Sequence, residues 1–165
     1  MAQAIIFVVF PLCMAIAACS DFLTMTIPNR VSAILLGAFI IAAPLAGLGL
    51  PAIAIHLGAG LLVFSLGFAL FALNVMGGGD VKVLSASAIW FGFNASLLEY
   101  MIYVSFFGGL LTVAIMVLRG NSTQISGIPL PIHILSGSKV PYGIAIGIAA
   151  FATYPSSPLM LAALG

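Results

Sequence analysis

Charge is what this chain has least of. Only 4% of its 165 residues are Asp, Glu, Lys or Arg, four basic against three acidic. A water-soluble domain needs a far more polar surface, so an ordinary soluble fold is excluded. With a net charge of +1 and no basic cluster, the chain has little to neutralise a row of phosphates, which argues against nucleic acid as a partner. An acidic-substrate patch is missing too. Cys13 and Cys19 lie in one apolar run without a second pair, so neither a zinc framework nor a disulfide scaffold is expected. Their plainer role is as small side chains packed between helices.

What the chain has in excess is hydrocarbon. A hydrophobic content of 64% and a mean hydropathy of +1.35 indicate a polytopic, all-α integral membrane protein, read as a single domain over residues 1–165. Membrane lipid is therefore its expected surroundings. Ile16-Ala17-Ala18-Cys19 has the form of a lipoprotein cleavage site and Ala15-Ile16-Ala17 that of a signal-peptidase site. Met1 to Phe10 carry no Lys or Arg, however, whereas a secretory signal starts basic, so the first segment is expected to be retained.

Hydropathy predicts about six transmembrane helices, over residues 4–20, 31–50, 52–75, 81–98, 100–118 and 140–154. Asp21 closes the first. In the link that follows, Pro28 suits the opening turn of the second helix, and Pro44 predicts a kink within it. His56 lies near the start of the third segment, and Glu99 marks the turn after the fourth. Residues 120–139 are mixed, with the proline-broken stretch 128–135 read as interfacial or re-entrant. Pro155 and Pro158 leave the end of the last helix open.

Topology sets the polar residues on one side. Segments two and three lie between Asp21 and Asp80, so both acids face the same side whatever the orientation. Arg30, Lys82, Arg119 and Lys139 fall on that side as well. The excess of Lys and Arg in cytoplasmic loops assigns it to the cytoplasm, with both termini outside.

The most informative stretch is Met76-Gly77-Gly78-Gly79-Asp80-Val81-Lys82. An ionisable group beside hydrocarbon is a functional signal by default, and three glycines cost helix stability without an obvious packing return. Asp21 alone reads as well as a cap or a solvated turn. Together, two aspartates at one membrane edge suggest an acid–base dyad, in which like-charge repulsion leaves the pair one proton near neutral pH. One carboxylate then activates water while its protonated partner polarises a carbonyl. No nucleophile motif competes.

The combined pattern resembles the type IV prepilin peptidases, membrane aspartyl proteases with a GxGD motif. Gly77-Gly78-Gly79-Asp80-Val81-Lys82 is similar to that family's second-aspartate motif, Asp21 followed by Ile27-Pro28-Asn29 to its first, and Val140-Pro141-Tyr142-Gly143-Ile144-Ala145 to a segment at the start of its last helix. The resemblance implies Asp21 and Asp80 as the catalytic pair, with Pro28, Asn29, Gly77, Gly78, Gly79, Lys82, Pro141, Tyr142 and Gly143 in support. It implies no metal and no other cofactor. Its substrate would be a prepilin or pseudopilin whose leader is cut at the cytoplasmic face of the bacterial inner membrane. Without paired Cys-x-x-Cys motifs, the chain resembles the short, peptidase-only branch associated with Flp-type, tight-adherence pili. Between Asp21 and Ile27, where relatives often carry basic residues, it has Phe22-Leu23-Thr24-Met25-Thr26.

Other residues receive simpler expectations. Lys82 is expected to snorkel to the headgroups, or otherwise to lower a carboxylate pKa. Asn74 is expected to hydrogen-bond between helices, His56 to be structural, and His133 to be a solvated loop residue. Trp90, Tyr100 and Tyr103 read as packing or interface anchors. The rival classes are a small proton- or cation-coupled transporter or channel, and a non-catalytic pilus-assembly protein.

Overall fold

The computed structural model describes residues 2–120 and 140–164. Expectations that fall on His133, Lys139 or the stretch 121–139 lie outside the described residues. The described chain is all-helical: α1 Ala2–Thr24, α2 Asn29–Leu45, α3 Leu50–Ala72, α4 Gly78–Phe91, α5 Ala95–Gly120 and α6 Tyr142–Thr153. A 3-10 turn, Tyr154–Ser156, then leads into α7, Pro158–Leu164. Helices are the natural answer to this composition, because backbone groups in lipid must be satisfied within the segment.

The breaks follow from a few residues. Beyond α1, Met25 takes a left-handed φ of 54°, and Pro28 then precedes α2 in extended conformation. Pro44 does not kink a continuing helix. It stands in the last turn of α2, which ends at Leu45, and Gly47 at φ 85° turns the chain away. Pro51 is the second residue of α3, where a missing N–H costs nothing.

Beyond α3, Asn74 at φ 57° reverses the chain, with its N–H on the Phe71 carbonyl and that of Val75 on Leu70. Asn74 is thus an exposed residue of the reversal, not a bridge between helices.

The expected fourth segment, 81–98, divides. Gly92 at φ 68° ends α4, and a Cβ there would meet the His56 ring at 2.8 Å. Asn94 Oδ1 then caps α5, accepting the Ser96 N–H at 2.9 Å. Glu99 consequently lies on α5, exposed, rather than in a turn. At the C-terminal end, α6 and α7 form a pair bent by 46°. Three helices, α1 from Gln3, α3 and α5, are long and apolar enough to cross a membrane, or four spans if the bent pair counts as one. The other two of the expected six are shorter, at 17 residues for α2 and 14 for α4.

At 1.5 Å per residue α4 is only about 21 Å long. It is buried on every side, with Asp80, Val81 and all of Val83 to Phe91 inside and only Lys82 exposed. α3 and α2 pack along it, and α5, α6 and α7 complete its surroundings. α3 approaches closely because Gly60 and Gly67 share one face: a Cβ on Gly67 would stand 2.9 Å from Val81 Cγ1, and one on Gly60 would enter the Ile89 side chain.

Several polar groups at this core pair with one another or with backbone. Ser87 pairs with the Tyr100 hydroxyl at 2.8 Å, and Trp90 Nε1 donates to the Leu35 carbonyl at 3.2 Å. Trp90 and Tyr100 are thus core residues, while Tyr103 packs edge-on against Phe107 nearer the surface. His56 is structural as expected: buried, bonded through Nδ1 to the Ile89 carbonyl at 2.7 Å and stacked on Phe39. It lies beside the C-terminal end of α4, away from Asp80. Cys13 is buried, but Cys19 is exposed and does not pack between helices. The outward faces of α3 and α5 carry apolar side chains such as Leu61, Phe68, Phe106 and Val113, as a lipid-facing surface requires.

Candidate active site

Four helix ends and one link meet at the start of α4. Asp21 lies in the last turn of α1, which runs on to Thr24 instead of stopping before the acid. Asp80 lies in the first turn of α4. Both are buried, and both line an open cleft of about 660 Å³. Its walls include Thr26, Ile27 and Asn29 from the α1–α2 link and start of α2, Phe71 and Asn74 from the end of α3, and Tyr142 from α6.

Each carboxylate has a glycine backbone beside it. Gly143, the second residue of α6, donates its N–H to Asp21 Oδ2 at 2.7 Å. The first N–H groups of a helix have no partner inside it, so the α6 N-terminus is suited to an acid. The approach requires glycine, since a Cβ on residue 143 would stand 2.8 Å from Asp21 Cβ and 2.9 Å from its Oδ2. The Gly77 backbone lies close to the Asp80 carboxylate and lowers its pKa, and a Cβ there would come within 2.6 Å of Asp80 Oδ2. Gly78 and Gly79 are less constrained: a Cβ on Gly78 would stand 3.3 Å from the Phe71 ring and one on Gly79 3.4 Å from Ile27 Cβ.

The electrostatics of Asp80 follow from its position. Burial disfavours its charged form most, the nearby Asp21 charge adds to this, and the Gly77 backbone partly offsets both. Its carboxyl is pushed up to about 7. Asp80 Oδ1 is buried and has no hydrogen-bond partner among the described residues. A proton-holding carboxyl with an unengaged oxygen at a cleft can donate to an incoming carbonyl.

The remaining expected residues are arranged around the pair. Pro141 precedes the first turn of α6. The Tyr142 ring lies over Gly108 of α5, where a Cβ would be 3.4 Å from the ring, and its hydroxyl is 3.4 Å from Thr112 Oγ1. Lys82 Nζ donates to Asn29 Oδ1 at 2.9 Å, joining α4 to the start of α2. Pro28 and Asn29 are exposed at the rim. Beyond the two acids, no group of three or more His, Cys, Asp or Glu comes together among the described residues. Ile27 was not singled out by its side chain in the sequence, yet it is buried between Gly79 and Gly143. Its signal in the sequence was its place in Ile27-Pro28-Asn29, the stretch that follows Asp21.

A family model described as the type IV leader peptidase family covers residues 8–117, from α1 through most of α5, with both aspartates inside. No curated protein and no solved structure matches the chain.

Proposed function

The chain belongs to the type IV leader peptidase family, and from that premise we propose that it removes the leader of a prepilin-type substrate with Asp21 and Asp80 as its catalytic pair. The observation that carries this reading is the convergence of two buried acids, 59 positions apart in sequence numbering (80 − 21), on one open cleft.

The chemistry runs on one proton held by the pair. Asp21, as carboxylate, takes a proton from a water whose oxygen attacks the scissile carbonyl carbon, while Asp80 gives its own proton to the carbonyl oxygen. The resulting tetrahedral diol collapses with cleavage of the C–N bond. The proton on Asp21 passes to the leaving nitrogen, and a diol hydroxyl returns one to Asp80. The pair ends as it began, with an acid and an amine released.

The cytoplasmic face is the side we infer for this site, supported by the parity of the helices and the bias of Lys and Arg. Tags on the two termini of the protein in cells should both report the outside; a cytoplasmic C-terminus would overturn the orientation. The absence of paired Cys-x-x-Cys motifs supports the short, Flp-associated branch. A transporter would keep its carboxylates near the midplane, whereas these two stand at helix ends beside an open cleft.

The test is leader cleavage by the full chain reconstituted in liposomes with a prepilin-type substrate, read as the new N-terminus of the product. An uncut substrate together with proton or cation flux would favour transport. The rate also has an expected pH dependence. Asp80 must hold its proton to act as acid, and that proton is lost as pH rises through about 7. Cleavage should therefore fall above about pH 7, approaching tenfold per unit well beyond it. A rate flat to pH 9 would deny Asp80 the acid's role.

A further inference from the structure

We propose that Ile27 is a positioning residue that sets the start of α4, which carries Asp80, against the start of α6, whose Gly143 holds Asp21, with the Asn29–Lys82 bond securing the α1–α2 link to α4 at the rim. This rests on Asp21 and Asp80 being the reacting pair.

Ile27 is the buried side chain of the α1–α2 link, between exposed Thr26 and Pro28. It touches the neighbours of both acids. A Cβ on Gly79, the residue before Asp80, would stand 3.4 Å from Ile27 Cβ and 3.6 Å from its backbone nitrogen. One on Gly143, the residue that donates to Asp21, would stand 3.0 Å from Ile27 Cδ1. One side chain therefore separates the start of α4 from the start of α6. Isoleucine suits this place because β-branching restricts χ1, so it behaves as a stiff spacer.

The link that carries Ile27 is tied on both sides. Ser20 Oγ donates to the Thr26 carbonyl at 2.7 Å, and the Thr24 and Thr26 hydroxyls pair at 2.8 Å, which fixes the link to the last turn of α1. Beyond Pro28, Asn29 receives Lys82 Nζ. Lys82 follows Asp80 by two positions, and helix residues so spaced do not face each other. Its ammonium accordingly secures the link and not the acid. An exposed hydrogen bond adds little stability, so the contribution of this bond is orientation.

The experiment measures kcat, KM and the pH profile of leader cleavage by the reconstituted full chain, with Asp80→Asn as reference. Ile27→Ala should lower kcat about 10- to 100-fold, the range that sub-ångström to ångström misplacement produces. KM should stay within about twofold, and the basic limb of the pH profile should move to lower pH as water enters and the Asp21 charge recedes. Ile27→Val keeps the β-branch and loses only the atom toward Gly143, so its loss should be a few-fold. Lys82→Met should lose rate that Lys82→Arg recovers.

Wild-type kcat and an unmoved pH profile in Ile27→Ala, beside an inactive Asp80→Asn, would overturn the proposal. So would a raised KM with unchanged kcat, which would make Ile27 a substrate contact. Should Ile27→Ala fail to insert, wild-type kcat in Ile27→Val is the overturning result. Normal cleavage by Asp80→Asn would defeat the dyad first, and the positioning role with it.

Discussion

Asp21→Asn and Asp80→Asn are each expected to lower leader cleavage by at least about 10³-fold, within the range that general acid–base groups supply. The asparagine keeps the shape of the side chain, and at position 21 its carbonyl can still accept the Gly143 N–H. What it removes is the shared proton. Because the two acids act on the same step, the double variant should be no slower than the slower single one. Single-turnover cleavage in liposomes, with insertion checked for every variant, measures this. Normal cutting by either variant would exclude the dyad.

Stability should move the other way for Asp80→Asn. A group held at about 7 in the fold and near 4 when unfolded binds its proton more tightly in the fold. The stability it confers is fully present below about pH 4 and is lost as pH rises through about 7. At pH 8 the asparagine variant should therefore melt no lower than the wild type, so an inactive Asp80→Asn cannot be explained by unfolding.

Gly143→Ala has the second largest expected effect. The added methyl would meet Asp21 Cβ at 2.8 Å, Asp21 Oδ2 at 2.9 Å and Ile27 Cδ1 at 3.0 Å. Asp21 Cβ is attached directly to the α1 backbone, so no flexible side-chain end yields. Either α6 withdraws from α1 or the Asp21 carboxylate rotates away from its donor. A displacement of that order should lower cleavage roughly 10²-fold while the helices still insert. Gly37→Ala and Gly109→Ala are the controls, since a Cβ at either meets nothing within 4 Å. Equal activity in Gly143→Ala and these controls would mean that the Gly143 contact does not position the acid.

Asp80 was legible because so little around it was polar: in a chain with three acidic residues, one set after three glycines has few structural explanations. The place of Asp21 was less legible. Hydropathy falls at a charge, so the first segment was ended there, while the helix itself continues through Thr24.

The split at Gly92 was hidden for a related reason. Gly92, Phe93 and Asn94 interrupt the apolar run too briefly to alter its mean, and only the left-handed φ of Gly92 and the Asn94 cap reveal two helices. The burial of α4 from Val83 to Phe91 was also out of reach, because an apolar helix facing lipid and one enclosed by other helices share a composition. The Gly143 bond to Asp21 joins positions 122 apart. Only the resemblance of Val140-Pro141-Tyr142-Gly143 suggested that this segment belonged to the site.

That long-range bond bears on when the enzyme comes to life. During synthesis both aspartates and the whole of α4 leave the ribosome before Gly143 does, so the nascent chain holds its acids without the N–H that orients the first of them. The later segment is then fastened at its far end, where the Tyr154 hydroxyl reaches the Ile6 carbonyl at 3.0 Å and Gln3 Nε2 reaches the Ala163 carbonyl at 2.8 Å. Those ties bring the last helices back against the first. On the proposed mechanism, a chain that ends before α6 lacks the N–H that orients Asp21, and its cleavage of a leader is expected to be correspondingly weaker.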